Sequence, residues 1–491
     1  MIFNYFQLGT IIGQDGITHS GSELRVEAER KATYLVARGA QQSEYLLISH
    51  GNSAEFFTDL FAVWLLGGCA VCVNPNLTED EQCRIINLVS PKFVLDGSDG
   101  EGVICGVEVL NLKSESVGGK HKKIKLPGGG TLDDEALVLF TSGTTGKPKG
   151  VVHTFRSLYS RILSNLDNIN SSELSTTLCP LGTHFGHGLI GICLTTLVSG
   201  GTVVLCDGTK LATTARLGEI IDHYNISFLS SVPSLWRVVL KLSKPPESNS
   251  LRRINIGSAP LTADLWERVV DWSGGREVAN VYGITETANW IGGASSMEVA
   301  PSDGLVGQVW AGKAAVLTER GDFSPTGFGE IIVQTPSLMK GYFGLSDESV
   351  KCLSGGYFRT GDLGVVDVNQ SITIKGRVRS QINRAGVKVI PEEIDMLLEQ
   401  NPMVGEACAF PIADEIAGEL IGVAVTLVEK TGQRLDEAQF AEELKKWMIS
   451  RISKDKLADK FVIVEAIPKN NNGKIDRSKL SRSLVSMSNR A

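Results

Sequence analysis

The sequence lacks the features that mark nucleic-acid-binding, secreted and membrane-spanning proteins. Lysine and arginine total 48 against 55 acidic residues, and a net charge of -7 does not suit a chain that must neutralise nucleic-acid phosphates. No lysine or arginine precedes Arg25, so the basic region of a secretory signal is missing. The longest apolar run, residues 60–73, is too short to cross a bilayer and contains Gly67 and Gly68. We therefore expect no nucleic-acid partner and no membrane span.

Cysteine is sparse and does not form the pattern of a disulfide framework. Nine cysteines are scattered over 491 residues, which favours a reducing compartment and a cytoplasmic location. Cys69 and Cys72 lie in the apolar, strand-like run CAVCV. We expect them to be buried small hydrophobic residues rather than a redox pair.

The length and composition indicate a globular protein with more than one domain. A chain of 491 residues exceeds one ordinary hydrophobic core. Its 42% hydrophobic and 21% charged content is that of an ordinary folded protein. It shows no internal repeat or low-complexity tract, and we expect no appended carrier domain.

Strand and helix patterns alternate in the first part of the chain. Residues 46–48 are typical of a short strand, and an apolar helix over residues 54–66 ends at Gly67 and Gly68. Thr78 and Glu81 form a capping box that begins another helix. This order favours parallel strands with crossover helices.

The pattern changes twice toward the C-terminus. Residues 321–376 are rich in glycine and turn residues, which predicts a β-rich subdomain. Strand patterns at 407–410, 422–428 and 461–464 then mix with helix patterns at 391–399 and 435–451. We predict an α/β fold in which residues 1–377 form a large N-terminal domain of α/β subdomains plus the β-rich subdomain. Residues 378–491 are expected to form a small α+β C-terminal domain.

A loop rich in glycine, hydroxyl groups and lysine follows an apolar strand pattern. The segment from Leu137 to Gly150 reads LVLFTSGTTGKPKG. Glycine lets the backbone approach an anion closely, and successive N–H groups then converge on a phosphate. We predict that the polyphosphate of a nucleotide is bound by Thr141, Ser142, Gly143, Thr144, Thr145, Gly146, Lys147 and Lys149.

A well-marked helix pattern lies beyond this loop. Thr154 is a suitable N-cap, and apolar residues recur at steps of three and four from Phe155 to Ile169. We therefore expect the loop to lie between a strand and a helix, where α/β proteins place ligands. His153 precedes the cap, and we assign it no role.

The loop differs from the P-loop of common NTPases, in which a hydroxyl residue follows the lysine. Here Pro148 follows Lys147, and the hydroxyl groups precede the lysine. A kinase or NTPase, which releases ADP and phosphate, is one alternative interpretation. A flexible surface turn that contains lysine is another.

A second polar segment, NVYGITET, covers Asn280 to Thr287. Tyr282 has an aromatic ring that can stack on adenine, and Thr285 has a hydroxyl group suited to an α-phosphate. Glu286 supplies a carboxylate, which Mg²⁺ prefers together with phosphate oxygens. The segment is also compatible with a plain polar turn after a strand.

The string TSGTTGKPKG resembles the signature of adenylate-forming enzymes, namely acyl- and aryl-CoA synthetases, adenylation domains and luciferases. Further segments resemble this family in the expected order, from about Leu46 to Arg477. These segments are GSAP at 257–260, NVYGITET at 280–287, PSLMKGY at 336–342, YFRTGD at 357–362, KGRVRSQINRAGVKVIPEEID at 375–395 and PKNNNGKIDR at 468–477.

The resemblance implies a role for individual residues. Asp362 would bind the ribose, Arg377 the ribose or a phosphate, and Lys474 would be the catalytic lysine that neutralises charge at the α-phosphate. Arg379 falls at the hinge position, where Asp or Lys is commoner, and Gly386 would flank the pantetheine tunnel. Further nucleotide-binding residues are implied at Gly257, Ser258, Ala259, Pro260, Asn280, Val281, Tyr282 and Gly283.

The implied chemistry has two halves and requires ATP, Mg²⁺ and CoA or a carrier-protein phosphopantetheine. A carboxylate attacks the α-phosphate of ATP to give an acyl-adenylate and pyrophosphate, and a thiol then releases AMP. The small domain rotates between the halves in this family. Loading of an acyl or aminoacyl group onto a carrier protein remains an alternative, as does a non-catalytic adenylate-binding relative. We expect a monomer or a homodimer.

The segment CPLGTHFGHGLIG, residues 179–191, falls where the family lines its acyl pocket. Amino-acid-activating relatives usually carry an Asp after an aromatic residue here, whereas Phe185 is followed by Gly186. A buried ammonium without a carboxylate is costly, so an aryl or a fatty to medium-length acyl acid is favoured over an α-amino acid. His184 and His187 complete the predicted pocket, and two histidines alone do not make a metal site.

Overall fold

A computed structural model describes residues 6–97, 102–113, 130–141, 149–384, 387–414, 418–428, 437–469, 474–477 and 479–482. The helices, in chain order, are α1 Gly21–Ala37, α2 Ala54–Leu66, α3 Glu79–Val89, α4 Phe155–Asn168, α5 Thr195–Val198, α6 Leu211–Ala215, α7 Leu217–Tyr224, α8 Pro233–Leu242, α9 Ala263–Trp272, α10 Ser346–Lys351, α11 Pro391–Glu399 and α12 Glu437–Ile449.

The strands, also in chain order, are β1 Thr10–Ile12, β2 Thr18–His19, β3 Tyr45–Ile48, β4 Cys69–Cys72, β5 Phe93–Leu95, β6 Gly102–Ile104, β7 Val107–Leu110, β8 Glu135–Thr141, β9 Lys149–Thr154, β10 Thr176–Cys179, β11 Thr202–Leu205, β12 Phe228–Ser231, β13 Arg253–Gly257, β14 Glu277–Ile284, β15 Asn289–Ser295, β16 Leu305–Val309, β17 Lys313–Leu317, β18 Phe323–Ser324, β19 Gly327–Gln334, β20 Gly341–Tyr342, β21 Leu353–Ser354, β22 Tyr357–Val366, β23 Ser371–Arg377, β24 Ile382–Arg384, β25 Val387–Val389, β26 Val404–Asp414, β27 Gly418–Leu427 and β28 Lys460–Ile463.

The predicted helix ends are confirmed where local capping decides them. Helix α2 begins after Ser53, whose hydroxyl accepts a hydrogen bond from the backbone N–H of Phe56, and ends at Gly67 with φ 81°. Helix α3 begins with the predicted capping box of Thr78 and Glu81.

The chain divides into two compact units, of which the first comprises Met1–Pro301, Val306–Lys313 and Val333–Phe358. One sheet of this unit runs in the order β16-β15-β14-β13-β12-β10-β11-β1-β2, and its central strands are parallel. A second sheet runs in the order β20-β9-β8-β4-β3-β5-β7-β6. The carboxyl ends of the parallel strands β12, β13 and β14 therefore meet at one edge of the first sheet.

Apolar helices cover these sheets and form the core of the first unit. Helix α2 is buried over most of its length, and its Trp64 donates an indole hydrogen bond of 2.7 Å to the Ala136 carbonyl. Cys69 and Cys72 of β4 are buried thiols, as predicted, and burial raises the pKa of the Cys72 thiol. No helix within the described ranges is long and apolar enough to cross a membrane.

The predicted position of the phosphate loop is wrong in one respect. Strands β8 and β9 are antiparallel, with Thr141 opposite Lys149, so residues 142–148 connect two strands rather than a strand and a helix. The valines at 151 and 152 favour a strand and pair with β8 before helix α4 begins at Phe155. Thr154 is the N-cap of that helix, as predicted.

The cysteine prediction also needs a correction. Cys83 on α3 and Cys105 between β6 and β7 form a disulfide, with their Cα atoms 5.7 Å apart. This Cα separation lies within the range that a disulfide spans. The two residues are 22 positions apart in sequence, and no spacing pattern pointed to their pairing. The remaining cysteines are free thiols.

The second unit comprises Ser302–Leu305, Ala314–Ile332 and Arg359–Ala491. Its antiparallel strands include β17, β18, β22 and β23, which confirms the β-rich pattern. A further sheet runs in the order β25-β24-β27-β26, with β28 parallel to β27. Ile394, Leu398, Phe440, Leu444 and Met448 of α11 and α12 are buried in its core. The α/β class with a small α+β domain is confirmed, and the boundary at 377 stays a prediction.

Candidate functional site

Two predicted nucleotide-binding segments lie side by side at the carboxyl edge of the first sheet. Gly257 ends β13 opposite Val281 of the parallel strand β14. A Cβ at residue 257 would lie 2.5 Å from the Val281 carbonyl oxygen, so only glycine fits this approach. Ser258 follows in the left-handed region with φ 68°. The residues 257–260 and 280–283 thus form adjoining parts of one edge, the position that α/β sheets use for ligands.

The predicted catalytic residues Thr285 and Glu286 lie on a tight turn, which we call the TET turn, residues 285–289. A short 3₁₀ helix, Thr285–Thr287, follows β14, and Ala288 and Asn289 then adopt φ values of 58° and 107°. A Cβ at Gly283 would lie 2.2 Å from the Asn289 carbonyl oxygen. The turn therefore depends on a glycine before it and on two strained residues at its end.

The Glu286 carboxylate is held by a tyrosine beside the end of the phosphate loop. The Tyr342 hydroxyl donates a 2.8 Å hydrogen bond to Glu286 Oε1, and the Met339 N–H donates one of 2.8 Å to the Glu286 carbonyl. The ammonium of Lys149 lies 5.2 Å from the centre of the Tyr342 ring. Burial and the Glu286 charge raise the pKa of Tyr342, so the phenol stays protonated and remains a donor.

The phosphate loop itself is only partly within the described residues. Thr141 and Lys149 are described, and they are opposite each other in the β8–β9 pair. The remaining predicted loop residues lie outside the described residues, namely Ser142, Gly143, Thr144, Thr145, Gly146 and Lys147.

The side chains near the TET turn fit a magnesium ion that a substrate brings with it. No cluster of three or more His, Cys, Asp or Glu suited to a metal occurs among the residues that the structure describes. Mg²⁺ commonly binds through one or two carboxylates plus phosphate oxygens and water. The single carboxylate of Glu286 suits that mode of binding. It does not suit a site in which protein groups alone surround the metal.

The predicted acyl pocket is built on an unusual helix. His187 begins a π-helix, His187–Leu194, which follows Phe185 and Gly186 directly. The ring nitrogens of His187 hydrogen-bond the hydroxyls of Ser258 at 2.8 Å and Ser230 at 2.7 Å. The His187 ring also packs edge-on against Trp290. His187 thereby connects the predicted acyl pocket to the predicted nucleotide-binding residue Ser258, and π-helical segments are frequent at functional sites.

Two buried donors lie beside this π-helix. The side-chain nitrogens of Asn289 and Trp290 have no hydrogen-bond partner among the described residues. A Cβ at Gly191 would lie 1.8 Å from Asn289 Nδ2 and 3.1 Å from Trp290 Cε2, so both side chains pack against that glycine. Gly186 also lies near Asn289. A buried donor without an acceptor costs roughly 1–3 kcal/mol.

In the second unit, the two residues predicted for the ribose lie together. Asp362 of β22 is opposite Arg377 of β23 in the antiparallel pair. Arg377 Nε lies 2.8 Å from Asp362 Oδ1, and Asp362 is buried while Arg377 is half-exposed. The ion pair fixes the buried carboxylate, and the guanidinium is exposed to solvent.

Lys474 is exposed, and residues 475–477 after it are held by contacts within the second unit. Ile475 forms a bridge with Lys469, and the Asp476 N–H donates to the Pro468 carbonyl at 2.8 Å. Arg477 forms an ion pair with the buried Asp395 at 2.5 Å and donates to the Ala409 carbonyl at 2.8 Å. The chain after Lys474 is thus anchored through a guanidinium.

The remaining predicted residues of the second unit are placed as follows. Arg379 lies in a single 3₁₀ turn, Val378–Ser380, directly after β23. Gly386, predicted for the pantetheine tunnel, lies outside the described residues.

Sequence reasoning missed three residues around the TET turn. Tyr342 lies in a segment that was noted only for its family resemblance. His153 was given no role, and Arg161 was not considered. Arg161 had a signal, since it occupies a position three residues after Leu158 on the apolar face of α4. A charged residue within such an apolar stripe must find buried partners.

Comparisons with known proteins agree with this arrangement. Residues 6–343 match a sequence model of AMP-binding enzymes, and residues 393–474 match that of the AMP-binding enzyme C-terminal domain. The chain belongs to the AMP-binding enzyme family.

Its relatives include named CoA ligases. Oxalate–CoA ligase of Arabidopsis thaliana is 27% identical over 95% of this chain and 93% of its own length. 2-Succinylbenzoate–CoA ligase of Bacillus velezensis is 28% identical over 92% of this chain and 90% of its own.

Among solved structures, o-succinylbenzoate CoA synthetase from Bacillus subtilis in complex with its acyl-adenylate intermediate has 26% identity. The TM-score is 0.84, and the match covers 97% of this chain and 95% of that one. The same synthetase with ATP and magnesium ion gives a TM-score of 0.85 at 26% identity, covering 98% of each chain. The present chain is an AMP-forming carboxylate–CoA ligase that uses ATP, Mg²⁺ and CoA.

Proposed function

We propose that the TET turn and its neighbours carry the adenylation step of this ligase and that the acid is not an α-amino acid. The observation that carries this proposal is the contact of Glu286 with Tyr342, whose ring lies beside Lys149. A carboxylate and an ammonium group held this close to the end of a phosphate loop suit a magnesium-bound polyphosphate.

In the first half-reaction, an oxygen of the substrate carboxylate attacks the α-phosphate of ATP and pyrophosphate leaves. The phosphate loop holds the pyrophosphate, and the Thr285 hydroxyl orients the α-phosphate. Lys474 neutralises the charge that develops there, which is positioning combined with electrostatic stabilisation. Mg²⁺, when bound, neutralises phosphate charge, and Glu286 would hold it.

In the second half-reaction, the CoA thiol attacks the acyl carbonyl and AMP leaves. Asp362 and Arg377 hold the ribose of the adenylate through both halves. Their ion pair supports this role, because it fixes a buried carboxylate that can accept hydrogen bonds from both ribose hydroxyls. Arg379 serves as the hinge for the rotation of the small domain between the two half-reactions. Gly386 flanks the path of the pantetheine.

The pocket supports an aryl or medium-length acyl acid that carries an oxygen acceptor. Gly186 stands where amino-acid-activating relatives have an Asp, and the groups near His187 are hydroxyls and an indole ring. An acceptor on the acid would satisfy the buried donors of Asn289 and Trp290. The relatives named for oxalate and 2-succinylbenzoate place dicarboxylic acids among the compounds to test first.

A screen of pyrophosphate release tests the proposal. Purified enzyme with ATP and Mg²⁺ is offered aryl, dicarboxylic, fatty and amino acids, and pyrophosphate and AMP are measured together. We expect release with one of the first three groups, and we expect Glu286→Gln to reduce it. Release of ADP and phosphate, or of no pyrophosphate with any acid, would overturn the proposal.

The acceptor is tested separately with the acid found in that screen. Thioester formation is compared between CoA and a pantetheinylated carrier protein at equal concentrations. We expect the CoA thioester to dominate. A strong preference for the carrier would contradict this expectation.

A cytoplasmic location, a monomeric or homodimeric state and the absence of a nucleic-acid partner stay part of the proposal. The free thiols support a reducing location, whereas the Cys83–Cys105 disulfide does not.

A further inference from the structure

The TET turn has a strained backbone that must be held from outside. Ala288 and Asn289 have φ values of 58° and 107°, which residues other than glycine rarely adopt. Each such residue costs on the order of 1–3 kcal/mol and persists only where the surrounding structure enforces it. The groups that enforce this conformation therefore decide where Thr285 and Glu286 lie.

Arg161 of α4 holds one end of the turn. Its guanidinium donates to the Thr287 carbonyl at 3.3 Å through Nε, and through Nη2 to the hydroxyls of Ser337 at 2.6 Å and Thr335 at 3.1 Å. The Ser337 hydroxyl donates to the same Thr287 carbonyl at 3.0 Å. The rigid guanidinium thereby ties the turn to residues 335–337.

The burial of Arg161 indicates that its guanidinium is dedicated to these hydrogen bonds. The side chain is 0% exposed and forms no ion pair with any described residue. Burial lowers the pKa of Arg161 to about 9, so it remains cationic at neutral pH. Burying an uncompensated cation is costly, and here the compensation comes from a carbonyl and hydroxyl groups.

His153 holds the other end of the turn. Its Nε2 lies 2.8 Å from the Thr285 carbonyl oxygen, and its Nδ1 lies 3.3 Å from the Ser157 hydroxyl. A carbonyl only accepts, so Nε2 carries the proton. Burial lowers the pKa of His153 to about 4, and the ring therefore stays neutral under working conditions.

We propose that Arg161 and His153 are positioning residues for adenylation, which rests on the proposed function of Thr285 and Glu286. Each donates a hydrogen bond to one carbonyl of the 3₁₀ helix: Arg161 to that of Thr287 and His153 to that of Thr285. The Thr285 hydroxyl and the Glu286 carboxylate remain available for the nucleotide. Neither positioning residue touches the substrate in this assignment.

Paired variants at His153 test one half of the proposal. His153→Gln keeps a side-chain donor near the position of Nε2, whereas His153→Leu removes it. We expect His153→Leu to lower kcat for pyrophosphate release by about 10-fold, the scale of one lost hydrogen bond of roughly 1.4 kcal/mol, with KM for the acid unchanged. It should also raise the Mg²⁺ concentration needed for ATP binding, measured by calorimetry. His153→Gln should restore both values at least partly.

Paired variants at Arg161 test the other half. Arg161→Met should lose kcat by about 10²-fold, and Arg161→Lys should lose less, because it keeps the charge but not the forked donors. Ser164→Ala is the matched control, since Ser164 accepts from Arg161 Nη1 at 3.4 Å, whereas the bonds to Thr287, Thr335 and Ser337 use Nε and Nη2. We expect the control to keep kcat.

The outcomes separate this inference from the proposed function. A wild-type enzyme that releases no pyrophosphate with any acid overturns the proposed function. An active wild type with unchanged kcat and Mg²⁺ requirement in His153→Leu and Arg161→Met overturns the inference alone. If Arg161→Met does not fold, as judged by its melting curve, Arg161→Lys decides: a kcat and Mg²⁺ requirement equal to wild type would overturn the role of Arg161.

Discussion

At the scale of single residues, the orientation of one carboxylate is central. Glu286 accepts a hydrogen bond from Tyr342, and its backbone carbonyl accepts one from Met339. Both the side chain and the main chain of this residue are thus fixed by residues that lie more than fifty positions later in the chain. A carboxylate fixed in this way loses little rotamer freedom when a metal–nucleotide complex arrives.

Removal of the Tyr342 hydroxyl should weaken this orientation. We expect Tyr342→Phe to raise the Mg²⁺ concentration for half-maximal adenylation by about 3- to 10-fold, the scale of one typical intramolecular hydrogen bond. A titration of pyrophosphate release with Mg²⁺ measures it. Tyr45→Phe is the control, because Tyr45 donates its hydroxyl to Glu135 instead. Equal Mg²⁺ curves for the two variants would contradict the prediction.

Lys474 should matter for one half-reaction only. We expect Lys474→Ala to slow adenylation by roughly 10²–10³-fold, the effect of removing one oriented charge donor. Thioester formation from a supplied acyl-adenylate should be spared, because the thiol then attacks the acyl carbonyl and not the α-phosphate that Lys474 serves. Single-turnover measurements of each half distinguish the cases. Equal loss in both halves would argue against this division.

His153 should make stability depend on pH. Burial lowers its pKa from 6.5 to about 4 in the folded chain. Between these values the unfolded chain binds a proton that the folded chain does not, so the free energy of unfolding falls as the pH falls. The contribution is fully present above pH 6.5 and is lost toward pH 4, at most about 3 kcal/mol.

The comparison with a variant that cannot titrate isolates this effect. Urea unfolding of wild type and His153→Gln is measured from pH 7 to pH 4.5. The wild type should lose stability more steeply, since all other groups are shared. Parallel profiles would exclude the assigned pKa shift.

At the scale of elements, local signals predicted helices and strands well. Helix α2 begins and ends at the predicted residues because Ser53 and Gly67 define its ends within the sequence itself. The capping box of α3 is equally local. Strand β9 was missed, because the valines at 151 and 152 are a short signal and the pairing with β8 is fixed across the loop.

The surroundings of the TET turn depend on distant contacts, and the sequence predicted them least. Thr285 and Glu286 were identified from their motif. Their supports, Arg161 and Tyr342, come from a helix more than a hundred positions earlier and a strand more than fifty positions later. Only the fold brings such residues together, so no local pattern reveals them.

The π-helix was also not predictable from periodicity, and its glycines fix its position. A Cβ at Gly188 would lie 2.3 Å from the Gly182 carbonyl oxygen, which is backbone and cannot move aside alone.

We expect Gly188→Ala to destabilise the chain by about 1–3 kcal/mol, as overpacking does, and to raise KM for the acid. Melting curves and steady-state kinetics measure both. Gly200→Ala, where a Cβ would meet nothing within 4 Å, is a control for space, although its φ of 84° adds strain. An unchanged KM in Gly188→Ala would separate the π-helix from the acid site.

At the scale of the whole molecule, each of the two units has its own hydrophobic core. Leu60 is buried in the core of the first unit and Leu444 in that of the second. Independent cores favour more than one unfolding step.

Matched substitutions test this independence. We expect Leu60→Ala and Leu444→Ala each to destabilise one calorimetric transition, by about 2–5 kcal/mol, and to leave the other in place. A single transition that shifts in both variants would show that the chain unfolds as one unit.

The buried guanidinium of Arg161 has a consequence for how the protein matures. A folding intermediate in which α4 has docked before residues 285–287 and 335–337 arrive would enclose a cation without its oxygen partners, and such a species is high in free energy. Docking of α4 and formation of the TET turn should then occur together. Refolding should therefore yield chains that are either unfolded and inactive or folded and fully active. Few molecules should be folded but inactive.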